Sequence, residues 1–226
     1  MECLYTPELT TTTQSLVITG DEYTHAKALR LSVGEQLQLT NGSGTTAVCS
    51  IVEVTKKNLI VHIESTQQHK LTTRKVTVAL GILDNRDRME FAVEKAVELG
   101  VTDFIPLQTQ FVQRRAHGTQ RLESKAIAAV KQSKQPFRLN IHPVQTLQEV
   151  LNSYTTTTIV LADEHGNRPS KIDDEVLFLI GPEGGFSPDE KNLILSQPNI
   201  QQWKLTDSRL RAETAAMSCM AINAVL

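Results

Sequence analysis

The sequence predicts an α/β protein in two parts, a small β-barrel module followed by a larger α/β domain with a mainly parallel sheet. Three observations carry this expectation. Residues 16–63 hold several short β-branched runs around a single helical stretch, the rhythm of a small barrel. From residue 75 onward, apolar strand-like runs alternate with helical patterns, the rhythm of a sheet wound with crossover helices. The 226 residues are 40% hydrophobic and 21% charged, the balance of a globular chain long enough to bury a core without a metal or a disulfide.

Taken in order, Leu16–Thr19 is an apolar strand, and Asp21–Leu31 is a short helix with Asp21 as N-cap and Ala28 and Leu29 on one face. Gln36–Thr40 alternates, Asn41-Gly42 is a turn signal, and Thr46–Val54 and Leu59–Ile63 are strands joined by a hairpin at Lys57-Asn58. The polar run QQHKLTTR, residues 67–74, is a linker, giving domains over residues 1–70 and 74–226. Beyond it, Val76–Gly81 reads as a buried strand. A helix capped by Asp84 or Asn85 then runs to Gly100, with Met89, Val93, Ala96 and Val97 on one face. Strands follow at Phe104–Leu107, Thr158–Ala162, Val176–Ile180 and Gln202–Leu205, and helices at Gln120–Ser133, Thr146–Ser153, Pro188–Leu195 and Arg211–Leu226.

Cys3, Cys49 and Cys219 have no C-x-x-C spacing, which points to neither a disulfide framework nor a zinc site, and no metal is expected. The first residues lack the basic and apolar regions of a secretory signal, and no apolar run is long enough to span a bilayer, so a cytoplasmic protein is expected. The net charge of −2 hides a local bias. Residues 113–138 carry seven Lys or Arg against Glu123 alone, a net of +6. Such a stretch is either a solvated helix face or a surface that tracks phosphates.

Two segments carry chemistry. Ile180-Gly181-Pro182-Glu183-Gly184-Gly185-Phe186-Ser187 follows the apolar strand VLFLI, so three glycines expose backbone amides at the carboxyl end of a sheet strand. Ser187, Pro188 and Glu190 make a capping box for the next helix. The segment is neither a phosphate P-loop nor G-x-G-x-x-G, and a tight strand-to-helix turn is the plainer alternative. The second segment, Leu205–Ala216 (LTDSRLRAETAA), opens a final helix that is apolar all round and must bury every side, in a core or a subunit interface. Arginines and Glu213 at its mouth need partners, and a structural Arg–Glu bridge is the plainer alternative there.

GPEGGFS followed by LRAETA at the start of the last helix resembles the bacterial 16S ribosomal RNA (uracil-N3) methyltransferase family of the SPOUT superfamily. The run Arg88-Met89-Glu90-Phe91, Lys95, Glu98-Leu99-Gly100-Val101 and Pro106 is similar to that family's helix and following strand. His25 to Arg30, Gly34 and Asn41-Gly42 are similar to its small barrel. The chain departs from the family's pattern at Lys131–Gln135 and across Thr109–Arg115.

The resemblance implies an N-terminal PUA-like barrel and a C-terminal SPOUT α/β domain with a trefoil knot. It implies methyl transfer from S-adenosylmethionine to N3 of a uridine in 16S rRNA, with the assembled 30S subunit as partner, and a homodimer through the C-terminal helix. The cofactor falls by match to Leu161 and Ala162, to Ile180, Gly181, Pro182, Glu183, Gly184 and Gly185, and to Leu205, Ser208 and Leu210. Arg211, with Arg209, is the expected electrostatic group facing the uracil oxygens; Glu213 is expected to orient it or to act as the base, the orienting role being favoured because a carboxylate beside arginines is a poor base. Lys27, Arg30, Arg88, Arg114, Arg115, Arg121 and Lys125 are the candidates for RNA contact. The rival readings are a SPOUT methyltransferase acting on another RNA position and a catalytically silent assembly factor.

Overall fold

The computed structural model describes residues 1–71, 74–112 and 118–226. They group into two compact units. The first runs from Met1 into the linker and includes Ile127–Arg138; the second holds the remainder.

The first unit is a five-stranded sheet with one helix. Its elements are β1 (Cys3–Tyr5), β2 (Ser15–Ile18), α1 (Gly20–Ala28), β3 (Gln36–Thr40), β4 (Thr45–Val54) and β5 (Leu59–Gln68). The strand order is β1-β3-β4-β5-β2, with β1 parallel to β3 and the other pairs antiparallel. Alternation aims Leu37 and Leu39, Ala47, Cys49 and Ile51, and Leu59 and Val61 into one core, closed by Leu4, Ile18 and Ala26. Two bulges, at Val48/Cys49 and Ile51/Glu53, re-aim β4 along this core.

Several local expectations are corrected here. α1 is capped by Thr19 without a side-chain bond, and Asp21 lies inside the first turn, where a carboxylate suits the helix dipole. Ala26 is its buried residue; Ala28 and Leu29 face outward. β1 is only three residues long, too short to leave a periodic signal. β5 continues to Gln68, because β4 pairs with it as far as Thr45↔Gln68, and its exposed polar end reads as linker in the sequence.

Ile127–Arg138 completes this unit. The Lys131 ammonium pairs with Glu22 at 2.7 Å, and the Gly44 and Arg138 amides donate to Pro136 and Gly42 carbonyls at 2.9 Å. Gly44, at φ +100°, lies so close to Phe137 that a β-carbon there would stand 2.7 Å from the ring.

The second unit contains β6 (Val76–Gly81), α2 (Arg86–Glu98), β7 (Asp103–Gln108), the start of α3 (Gln120–Ser133), β8 (Asn140–Ile141), β9 (Gln145–Thr146), α4 (Leu147–Ser153), β10 (Thr158–Asn167), β11 (Val176–Ile180), α5 (Pro188–Leu195), β12 (Ile200–Trp203) and α6 (Ala212–Val225). Every strand pair is parallel, in the order β12-β10-β11-β6-β7-β8, with β9 also on β7. β6 and β11 are buried at every residue, as central strands covered on both faces must be. α2 and α6 pack on each other, and α6 lies on β6 and β11. Leu147, Val150 and Leu151 of α4 and Ile194 of α5 share a core with Ile105, Leu107, Leu177 and Leu179.

Local chemistry explains the boundaries. Asn85 caps α2 by accepting from the Asp87 amide at 2.9 Å, and Gly100, at φ +72°, turns the chain out of it. Thr146 and Glu149 form a capping box on α4, and Ser187 and Glu190 form another on α5 with Pro188 in its first turn. β12 lies two residues earlier than the sequence suggests, with Trp203 as its buried last residue, which leaves Leu205 in the loop beyond. β10 runs past Ala162: Ala162 and Asn167 both register with Trp203, so Asp163–Gly166 bulge off the ladder.

Candidate active site

The carboxyl ends of β10, β11 and β12 lead into three loops that line one cleft of about 740 Å³. This is where an open parallel sheet binds its ligands. The cleft brings together Leu161 and Ala162; Ile180, Gly181, Pro182, Glu183, Gly184 and Gly185; and Leu205, Ser208, Arg209, Leu210 and Arg211. Glu213 is not among its lining residues.

The glycine loop owes its shape to close backbone approach. A β-carbon on Gly181 would stand 3.1 Å from Gly185, and one on Gly184 would stand 3.0 Å from Cβ of Phe111. Gly185 alone in the loop has a left-handed φ, +72°. The Glu190 carboxylate accepts from the Ser187 amide at 2.9 Å and from the Gln110 amide at 2.8 Å, tying the loop after β7 to the start of α5.

The β10 bulge adds residues that the sequence did not point to. Asp163, Glu164, His165 and Lys191 line the cleft, as do Trp203, Lys204 and Ala215. Asp163 accepts from the His165 amide at 2.8 Å and pairs with Lys191 at 2.7 Å. Burial opposes its charge, but the Lys191 ammonium and the His165 amide outweigh that and hold the carboxyl below its ordinary range. No periodicity marks this bulge, since it leaves the ladder for four residues and returns to the same partner.

The arginines sort differently from expectation. Arg211 is the N-cap residue of α6; it and Arg209 are exposed, and neither has an ion-pair partner among the described residues. Glu213, two residues further in, is only 8% exposed and faces Arg88, whose Nε lies 3.5 Å from its Oε1. It is thus Arg88, from α2, that meets Glu213, while Arg211 lines the cleft. Nη1 of Arg88 also lies 4.0 Å from Oε1 of Glu183.

Of the other cations singled out in the sequence, Lys27 and Arg30 are exposed on the first unit. Arg121 pairs with Glu90, and Lys125 lies 3.7 Å from Glu94, so their charges are partly answered by α2. Arg114 and Arg115 lie outside the described residues. Among the described residues no group of three or more His, Cys, Asp or Glu could hold a metal ion, and no helix is long and apolar enough to cross a membrane.

The chain has close counterparts. A family model described as an RNA methyltransferase domain matches residues 69–224, and one described as an RNA methyltransferase PUA domain matches residues 18–64. The ribosomal RNA small subunit methyltransferase E of Rickettsia conorii is 30% identical over 214 residues, which span 90% of this chain and 87% of that protein. Its Aquifex aeolicus counterpart is 26% identical, over 92% of this chain and 93% of its own. A Legionella pneumophila protein solved with S-adenosylmethionine bound superposes with a TM-score of 0.86 at 27% identity, over 97% of this chain and 95% of that one. A Neisseria gonorrhoeae methyltransferase E shares the fold, with a TM-score of 0.85 at 23% identity over 98% and 96% of the two chains.

Proposed function

The chain belongs to the RNA methyltransferase family, with a PUA-like unit ahead of a SPOUT-type parallel-sheet unit, and on that premise we propose that it methylates N3 of a uridine in the 16S rRNA of the small ribosomal subunit, using S-adenosylmethionine. The observation that carries this is the cleft itself: a three-glycine loop and two arginines without ion-pair partners among the described residues converge at the carboxyl ends of three parallel strands.

The residues present fit the cofactor. Leu161, Ile180, Pro182, Leu205 and Leu210 offer apolar walls for an adenine, and the glycine loop offers backbone approach without side chains in the way. When bound, S-adenosylmethionine supplies an activated methyl group on a sulfonium.

The protein then has to position the base and stabilise charge that grows on the uracil oxygens as the N3 proton leaves. Arg211 is the residue for this task, with Arg209 beside it, because a guanidinium stays charged and can face a carbonyl oxygen with two donors. Glu213 is withdrawn from the cleft and paired with Arg88, so its part is to hold α6 in place rather than to take the proton. N3 is concealed in a Watson–Crick pair, so the target uridine must be unpaired or extruded to reach this cleft. Lys27 and Arg30 of the PUA-like unit, together with the basic 113–138 segment, are assigned to phosphate contact with the assembled 30S subunit in the cytoplasm.

The assembly we propose is a homodimer through α6. One side of this helix is buried in its own unit through Ala212, Ala216, Cys219 and Met220. Its other side presents Met217, Ala221 and Ile222, and Val225 and Leu226 at its end are exposed, an apolar surface that suits a second copy.

The test is incubation of the protein with purified undermodified 30S subunits and S-adenosylmethionine, followed by mapping of the modified nucleotide. N3-methyluridine in the small-subunit rRNA is expected. Methylation of another RNA position, or cofactor binding without transfer, overturns the proposal in favour of one of the two rival readings.

A further inference from the structure

Arg88 lies in the first turn of α2, and its guanidinium reaches two carboxylates that belong to different walls of the site. Glu183 is in the glycine loop, 4.0 Å from Nη1, and Glu213 is in the first turn of α6, 3.5 Å from Nε. The Glu213 side chain is nine-tenths buried, and its Oε2 has no hydrogen-bond partner among the described residues. A buried carboxylate in that condition depends heavily on Arg88, its one cation among the described residues. Arg211 precedes Glu213 by two residues and caps the same helix, so whatever fixes Glu213 fixes the point from which Arg211 enters the cleft. Whatever fixes Glu183 fixes the loop between Pro182 and Gly184.

We infer that Arg88 is a positioning residue that locks the glycine loop to the start of α6, holding the cofactor wall and Arg211 in one register. The inference rests on the proposed methyltransferase reading and departs from an RNA-contact role for Arg88. The guanidinium is not among the cleft's lining residues, and its ion-pair partners among the described residues are these two carboxylates. One cation shared by two elements is a geometric clamp, and a misplacement of about 1 Å at a reacting centre can lower a rate by about 10².

The experiment uses R88M, R88K, E183Q and the pairs R88M/E183Q and R88M/E213Q in the whole chain. R88M alone strands a buried carboxylate and is expected to lower the melting temperature. R88M/E213Q removes both charges and is expected to stay folded by circular dichroism. At saturating S-adenosylmethionine its single-turnover methylation of 30S subunits should fall by about 10- to 100-fold, and R88K should recover part of the rate. In calorimetric titrations of S-adenosylmethionine, R88M and E183Q should be coupled, R88M/E183Q losing less affinity than the two single losses combined. A folded R88M/E213Q variant with wild-type rate overturns the inference, as do strictly additive R88M and E183Q effects. Absence of lysine rescue, with rate lost only in proportion to folded protein, overturns it in favour of a structural bridge. If the wild-type protein itself binds S-adenosylmethionine but methylates nothing, the proposed function falls, and the affinity cycle still decides for or against the clamp.

Discussion

A β-carbon on Gly81, the last residue of β6, would stand 2.4 Å from the backbone nitrogen of Pro182 in the glycine loop. The loop is therefore seated on the end of a strand that pairs with its own, through Leu80↔Ile180. Gly81→Ala must displace that backbone, and overpacking of this kind costs about 1–3 kcal/mol. We expect a modest fall in melting temperature and at least a tenfold loss of S-adenosylmethionine affinity by calorimetry. Wild-type affinity would show that the seat does not shape the site.

Gly184→Val should abolish cofactor binding for a steric reason: its added carbon begins 3.0 Å from Cβ of Phe111, before the branch is counted. Gly184 has no left-handed φ; that constraint belongs to Gly185. Gly185→Ala should accordingly lower stability by about 1 kcal/mol through backbone strain, and chemical denaturation measures it.

Arg211 separates chemistry from binding. An interaction that strengthens only as the proton leaves raises the rate and adds little to affinity. Arg211→Ala should lower single-turnover methylation by about 10² to 10³, while cofactor and RNA dissociation constants move by less than about tenfold; Arg211→Lys should recover part of the loss. Since Arg211 has no ion-pair partner among the described residues, the Ala variant should keep its melting temperature.

Met217→Glu or Ile222→Glu places a charge on the outward side of α6, where both residues are half-buried within the single chain. Sedimentation should show a wild-type dimer and dissociated or insoluble variants. A monomeric wild-type protein with full activity would remove the proposed interface.

Asp163 gives a pH dependence of definite sign. Its carboxyl is held below the ordinary value, so the stability it contributes is complete above about pH 4 and is lost as pH falls through the lowered folded value. Lys191→Met removes the ammonium that holds it down, and the melting temperature of that variant should fall less between pH 5 and about pH 3 than that of the wild type. Parallel curves for the two proteins would contradict the pairing.

Much of the fold was readable because its signals are local. The alternation of buried runs with capped helices placed β6, α2, β11 and α5 nearly to the residue, and Asn85, Ser187 and Glu190 cap as their spacing predicts. The glycine loop and the Leu205–Arg211 segment were readable as chemistry, and the structure lines one cleft with both. What stayed hidden depends on distant partners. Glu213 sits beside Arg211 in sequence, but the helix turns its side chain toward Arg88, some 125 positions away in the chain. The bulge at Asp163–Gly166 and the two- and three-residue strands have no period long enough to see.

The N-terminal unit takes Pro136, Phe137 and Arg138 as partners for Gly42 and Gly44, and Lys131 as partner for Glu22. This has a consequence for how the protein is made. During synthesis, the first 71 residues emerge with the Gly44 side of their sheet still bare, and it stays bare until roughly another sixty-odd residues have been added, a wait of about 3–13 s at common elongation rates. The unit is therefore completed out of chain order, after β6, α2 and β7 have already left the ribosome, and a fragment ending at the linker lacks the segment that meets Gly42, Gly44 and Glu22.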